Sequence, residues 1–169
     1  MLRKLLATSF FALVVSASAS QDLSGTYCLD LQASDNYEPI MAQMGVSYLM
    51  RKVASFIQLQ ATYTQKGDTL STLTTGPGFA MHETMHTNGQ NEPSSETLLG
   101  GHVLHTQSTW SGNQLVTVDQ VQMPSGKTAC LTITRELKDN GRTLLISTTI
   151  KPDGEPSQRP LHRVWRKNG

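Results

Sequence analysis

Five residues near the middle of the chain, His82-Glu83-Thr84-Met85-His86, have the His-Glu-x-x-His spacing. In that pattern two imidazoles hold a zinc ion and the glutamate is the general base of peptide hydrolysis. The chemistry needs a helix. Residues four apart on a helix share one face about 5–6 Å apart and can meet one ion, whereas on a strand they span about 13 Å. Gly89 falls where the longer metzincin pattern has a glycine, but the third ligand position holds Glu92 instead of His or Asp. Gly76-Pro77-Gly78 upstream, with Asn88-Gly89 and Pro93 downstream, leave room for only a short helix. Within the segment Phe79, Met81 and Met85 fall on one side of an alternation, and His82, Thr84 and His86 on the other. The pattern is that of a β-strand, on which the motif is a chance match and a zinc metalloprotease is not expected.

Other chemistry-bearing residues give no constellation. His102, His105 and His162 lack ligand spacing with one another, and the serines sit in no nucleophile-elbow pattern. No catalytic residue, metal or cofactor is expected, and the chain is read as a binding protein, not an enzyme.

The amino terminus sets the expected compartment. Arg3 and Lys4 precede the uncharged apolar run Leu5 to Val15, and Ala17-Ser18-Ala19 has the small-x-small pattern of a signal-peptidase site. The run is well short of the roughly 20 residues of a membrane-spanning helix. Residues 1–19 are therefore expected to be a signal peptide, and 20–169 one extracellular domain. Loss of Arg3 and Lys4 takes 14 basic residues to 12, against 13 acidic ones, with no basic tract. Nucleic acid and anionic membranes are thus poor partners. About 150 residues bury roughly two-thirds of their unfolded surface and need neither metal nor disulfide to fold.

The elements that must position any site are mostly strands. Gly25-Thr26-Tyr27-Cys28-Leu29-Asp30-Leu31 alternates as a first strand. Asp35 and Glu38 have capping-box spacing, with Pro39 in the first turn of a helix that carries Ile40, Met41 and Met44. A second helical piece, 47–56, places Tyr48, Leu49, Val53 and Phe56 at helical spacing. From Gln58 onward the helical period vanishes. Turn signals then recur at Lys66-Gly67-Asp68, Gly76-Pro77-Gly78, Asn88-Gly89, Gly100-Gly101, Ser111-Gly112-Asn113, Pro124-Ser125-Gly126, Asp139-Asn140-Gly141 and Pro152-Asp153-Gly154. Their spacing is that of antiparallel hairpins. The expected fold is all-β: a ten-stranded antiparallel up-and-down barrel with a helix-turn-helix lid, 37–56, after the first strand.

Scattered motifs then point to a family. Gly25, Tyr27 and Leu29, followed by Asn36-Tyr37-Glu38, Met41, Met44-Gly45-Val46 and Arg51-Lys52-Val53-Ala54, resemble the amino-terminal signature of the fatty-acid-binding proteins. These form the intracellular lipid-binding branch of the calycins. Thr134-Arg135-Glu136-Leu137 with Asp139 and Gly141 resembles the family's eighth strand and turn. Arg163-Val164-Trp165 stands in place of its final Arg-x-Tyr. The spacer within the first signature is two residues longer than usual, and Trp165 replaces a tyrosine. The resemblance spans almost all of the expected mature chain. A lipocalin, the rival within the calycins, opens similarly at Gly25-Thr26-Tyr27, but a helix-turn-helix straight after the first strand favours the fatty-acid-binding branch.

The resemblance implies that Arg135 and Arg163 point into the barrel and hold a ligand carboxylate, with Trp165 at the position of the usual tyrosine. A guanidinium fork matches a carboxylate, and an indole N–H can donate one hydrogen bond. It also implies that Cys28 and Cys130 face outward on separated strands, while an oxidising compartment favours their disulfide, so both outcomes stay open. The implied function is a monomeric extracellular carrier of a fatty acid or another small hydrophobic ligand, meeting membranes transiently through its helical lid.

Overall fold

The computed structural model describes residues 20–94, 97–98 and 101–169, and the expected signal peptide, 1–19, lies outside them. Strand β1 (Gly25–Asp30) turns Tyr27 and Leu29 inward, as its alternation predicts. After two helices come β2 (Gln60–Lys66), β3 (Thr69–Gly76), β4 (Phe79–His86), β5 (Asn88–Pro93) and the two-residue β6 (Thr97–Leu98). The chain closes with β7 (Gly101–Ser111), β8 (Gln114–Gln122), β9 (Thr128–Lys138), β10 (Thr143–Pro152) and β11 (Leu161–Lys167). Ten strands of ordinary length thus form one antiparallel sheet in the order β4-β3-β2-β1-β11-β10-β9-β8-β7-β5, with β6 on β7. The sheet curls until Met85 Sδ on β4 lies 3.8 Å from both Ser108 Oγ on β7 and Thr117 Oγ1 on β8. The result is the nearly closed barrel expected from the turn spacing.

The barrel stays open along one seam, because β4 and β5 do not pair. Asn88-Gly89 is not the hairpin turn its sequence suggests. It begins β5, which pairs with β7 across an irregular register instead. Thr87 explains the departure: buried between the two strands, it donates from both its backbone N–H and its hydroxyl to the Asp68 carbonyl, at 2.7 and 3.2 Å. That clamp onto the β2–β3 turn pulls the chain away from β4's edge before a hairpin can form.

Apolar side chains fill the two ends. One cluster joins Leu23, Tyr27, Leu29, Ala61, Tyr63, Leu70, Leu115, Leu144 and Trp165. A second gathers Val103, Val121, Leu131 and Ile150 beneath Ile40 and Met44 of the lid. Helix α1 (Glu38–Gln43) is seated there by Ile40, with Met44 just past its end, while Met41 is also buried. The chain leaves it through Gly45 at φ +77°, where a Cβ would stand 2.5 Å from Pro124 Cγ, so only glycine fits without displacement.

The expected capping box does not form. Asp35 instead accepts the His162 N–H at 2.8 Å and donates its own N–H to the His162 carbonyl, tying the lid's entry to β11. Tyr37 occupies the N-cap without a side-chain cap, and Asn36 Oδ1 receives the Glu38 N–H at 3.0 Å. Helix α2 (Tyr48–Ala54) is capped by Ser47 and tethered to α1 by Lys52–Glu38 at 2.9 Å and Arg51–Glu38 at 3.6 Å. It buries none of its residues. The apolar stripe faces solvent: Leu49 is 71% and Phe56 81% exposed, with Tyr48, Met50 and Val53 beside them.

Cys28 on β1 and Cys130 on β9 are free thiols. Strands β11 and β10 intervene, so about 14 Å of sheet separates the two strands, twice the Cα reach of a disulfide. A reducing agent should therefore leave the melting temperature within about a degree of the untreated value. A drop of several degrees in calorimetry would reveal a bond that this topology forbids.

Candidate functional site

Cross-strand partners share a face, so the register shows which side chains meet inside. Arg135 on β9 and Arg163 on β11 are both opposite Ile146 of β10. They therefore stand at one level on the inner wall, two strands and about 10 Å apart. Trp165, one inward position further along β11, pairs with Leu144 and Leu29 inside the first apolar cluster. The structure thus brings the three expected residues to one region of the interior but gives them different surroundings.

Arg135 lines a cavity of about 370 Å³ together with Met81, Met85, Val103 and Ile133, and with Glu83, Thr117 and Asp119. Consecutive residues of β4 from Met81 to Met85 line it, as do Glu92 and Pro93 of β5 and the following Ser94, so the space extends through the unpaired seam. Only 7% exposed, Arg135 donates from Nη1 to Thr117 Oγ1 at 2.8 Å, while its Nε has no protein partner. Tyr63 on β2 stands beside it. Burial pushes the Tyr63 hydroxyl above its ordinary pKa, and the charge and hydrogen bond of Arg135 oppose that shift. The guanidinium is thereby oriented before any ligand arrives, which limits the entropy lost on binding.

Arg163 opens on a smaller space of about 200 Å³ under the lid, bordered by Leu31, Asp35, Tyr37, Met41 and Ser55. Its guanidinium lies over the Tyr37 ring, 4.4 Å from the centroid. Burial lowers its pKa from the ordinary arginine value, and the Tyr37 hydroxyl acts in the opposite direction. A ring face compensates a desolvated cation in part, and an anion compensates it more fully. Trp165 is buried among aliphatic and aromatic side chains, its Nε1 without a protein partner, and it lines neither space.

The His-Glu-x-x-His segment is strand β4, as its alternation predicts. His82 and His86 are exposed on the outer face, opposite Leu73 and Thr69, while Glu83 points inward opposite Thr72. The two imidazoles cannot share an ion with the spacing of a strand.

Tyr63, Thr117 and Asp119 are interior residues that sequence reasoning did not single out, and Tyr37, quoted there only within the family signature, is the ring against Arg163. Tyr63 was accessible by parity, since it lies two positions from Ala61 in an alternating strand. Thr117 and Asp119 were hidden by an inverted pattern. In Leu115-Val116-Thr117-Val118-Asp119 the valines face outward and the polar residues inward.

No family model and no curated protein matches this chain. Solved structures do. A REP1-NXSQ fatty acid transporter superposes with a TM-score of 0.66 at 20% identity, covering 87% of this chain and 96% of its own. The chain has the fatty-acid-binding-protein fold. A Schistosoma mansoni fatty acid binding protein in complex with arachidonic acid matches with a TM-score of 0.63 at 20% identity, over 87% of this chain and 96% of that one. Human cRBP IV gives 0.65 at 19% identity, over 88% and 99%. The superpositions thus take in 87–88% of this chain.

Proposed function

We propose that this protein is an extracellular carrier that holds one fatty acid, or a closely similar amphiphile, inside the barrel. The observation that carries the proposal is Arg135: a guanidinium buried in the wall of an internal cavity, oriented by Thr117 and Tyr63, with Nε still able to donate. A carboxylate is the ligand group that a planar, charged donor fork fits best. Arg163 supplies a second cation at the same level, facing the neighbouring space under the lid, and Trp165 lies in the apolar floor. The fatty-acid ligands named for the similar structures agree with this assignment. Secretion rests on the signal-like residues 1–19, and the carrier is taken to act as a monomer.

Affinity divides between head and tail. One charge-assisted hydrogen bond contributes about 1.5–3 kcal/mol, and each buried methylene about 0.8 kcal/mol. The tail dominates binding strength and the arginines set orientation. Titration of the delipidated protein with a fluorescent fatty-acid analogue should saturate at one per chain and be reversed by unlabelled oleic acid. No saturable signal, with a different ligand class bound instead, would overturn the assignment.

The exposed stripe on α2 gives the carrier a means of meeting membranes. Leu49 on α2 and Phe56 just beyond it project into solvent, an apolar face suited to burial at a bilayer surface. Replacing both Leu49 and Phe56 by serine removes about 1.5–3 kcal/mol of burial per side chain at the interface. Transfer of the fluorescent analogue to phospholipid vesicles should slow at least tenfold, with unchanged affinity for the free analogue. Unchanged transfer would remove the lid from the delivery step.

A further inference from the structure

The two arginines of the inner wall flank one strand, and a hydroxyl from the lid meets that strand between them. Arg135 and Arg163 both pair with Ile146 of β10. Thr148 is the next inward residue of β10, about 7 Å further along, and it is buried. Tyr37, the N-cap of α1, reaches the wall at this point. Its ring centroid lies 4.4 Å from the Arg163 guanidinium carbon, and its hydroxyl hydrogen-bonds to Thr148. Burial pushes that hydroxyl above the ordinary phenol pKa, while the Thr148 hydrogen bond and the charges of Arg163 and Arg135 act against the rise. Both guanidinium charges are thus felt at one phenol oxygen, which keeps its proton at neutral pH.

A hydrogen bond that favours the ionised phenol is one in which the phenol oxygen accepts, so Thr148 is the donor of that pair. A phenol that accepts one hydrogen bond can still donate another. The acceptor that two neighbouring cations attract is an anion, and a carboxylate has the oxygens to receive donors from several sides. Trp165, on the same strand as Arg163, has no part in this, since it lines neither space. We propose that Tyr37 is a head-group residue of the carrier, whose hydroxyl donates to the ligand carboxylate and so makes the lid part of the site. This rests on the carrier assignment, in which the arginines take the acid group. A carboxylate held by the barrel's arginines and by a lid hydroxyl ties α1 to the wall, so acid binding and lid seating reinforce one another. An alcohol of the same chain length, with no charge to hold it between the arginines, makes no such tie.

Tyr37→Phe keeps the ring against Arg163 and removes only the hydroxyl. Calorimetric titration of the delipidated variant should show oleic acid weakened about tenfold, the loss of one hydrogen bond to a charged group, and oleyl alcohol changed by less than about twofold. Thr148→Val, which frees the phenol from its anchor, should weaken the acid severalfold and again spare the alcohol. Hydrogen exchange gives a readout that packing alone would not move. The amides of Met41 and Met44 donate to the Tyr37 and Ile40 carbonyls at 3.2 and 3.0 Å and so report on α1. Oleic acid should slow their exchange in the unmodified protein where the alcohol does not, and neither ligand should slow it in Tyr37→Phe. Thermal unfolding shows whether each variant is folded, and Thr148→Val carries the affinity test if Tyr37→Phe is not. Unchanged acid affinity in folded Tyr37→Phe, equal losses for acid and alcohol, or equal protection of α1 by the two ligands in the unmodified protein would overturn the role of Tyr37 while leaving the carrier assignment intact. Failure of the unmodified protein to bind oleic acid would overturn the carrier assignment itself.

Discussion

Arg135→Gln should weaken fatty-acid binding by roughly ten- to hundredfold, the loss of a charge-assisted contact of about 1.5–3 kcal/mol. The fatty alcohol of the same chain length should lose much less, because its tail burial is unchanged and it has no charge to match. The two ligands must be compared on the same folded variant. Arg135 also holds Thr117 Oγ1 and stands against Tyr63, so its removal disturbs the wall as well as the ligand. A disturbed wall would weaken acid and alcohol alike. Equal losses by calorimetry would therefore mean that Arg135 supports the cavity without reading the head group.

Trp165→Ala should act on stability instead. The side chain is 5% exposed within the cluster of Leu29, Leu144 and their neighbours, where truncation of a large aromatic side chain costs about 3–5 kcal/mol. For a domain of this size that corresponds to a melting temperature lower by roughly 6–20 °C. Trp165→Phe keeps most of the packing and removes an N–H that has no protein partner, so it should stay folded and retain acid affinity within about threefold. A selective loss of acid binding in Trp165→Phe, at an unchanged melting temperature, would place the indole in the head-group site and contradict its position in the floor.

The barrel was legible because its punctuation is local. Gly67, Gly112 and Gly126 take positive φ at turns that separate alternating strands, and such turns can be read from composition alone. The seam was not legible, because it depends on a tertiary clamp between Thr87 and the Asp68 carbonyl, which overrides the hairpin preference of Asn88-Gly89. The lid was read as helical, but not as outward-facing: the spacing of Leu49, Val53 and Phe56 shows a stripe without showing whether anything covers it. The interior of β8 was misleading in the same way. Hydrophobic alternation assumes an apolar inside, and here the inner wall at Thr117 and Asp119 is polar. Arg135 and Arg163 were reached through the family resemblance, and the register places both on the inner face at one level.

The most direct measurement of the central claim is mass spectrometry of the small molecules extracted from protein purified from its native source. The account predicts one acyl chain per protein, recovered as free carboxylic acids. Stoichiometric recovery of a ligand without a carboxylate, or of no lipid from protein that also fails to take up added fatty acid, would contradict it.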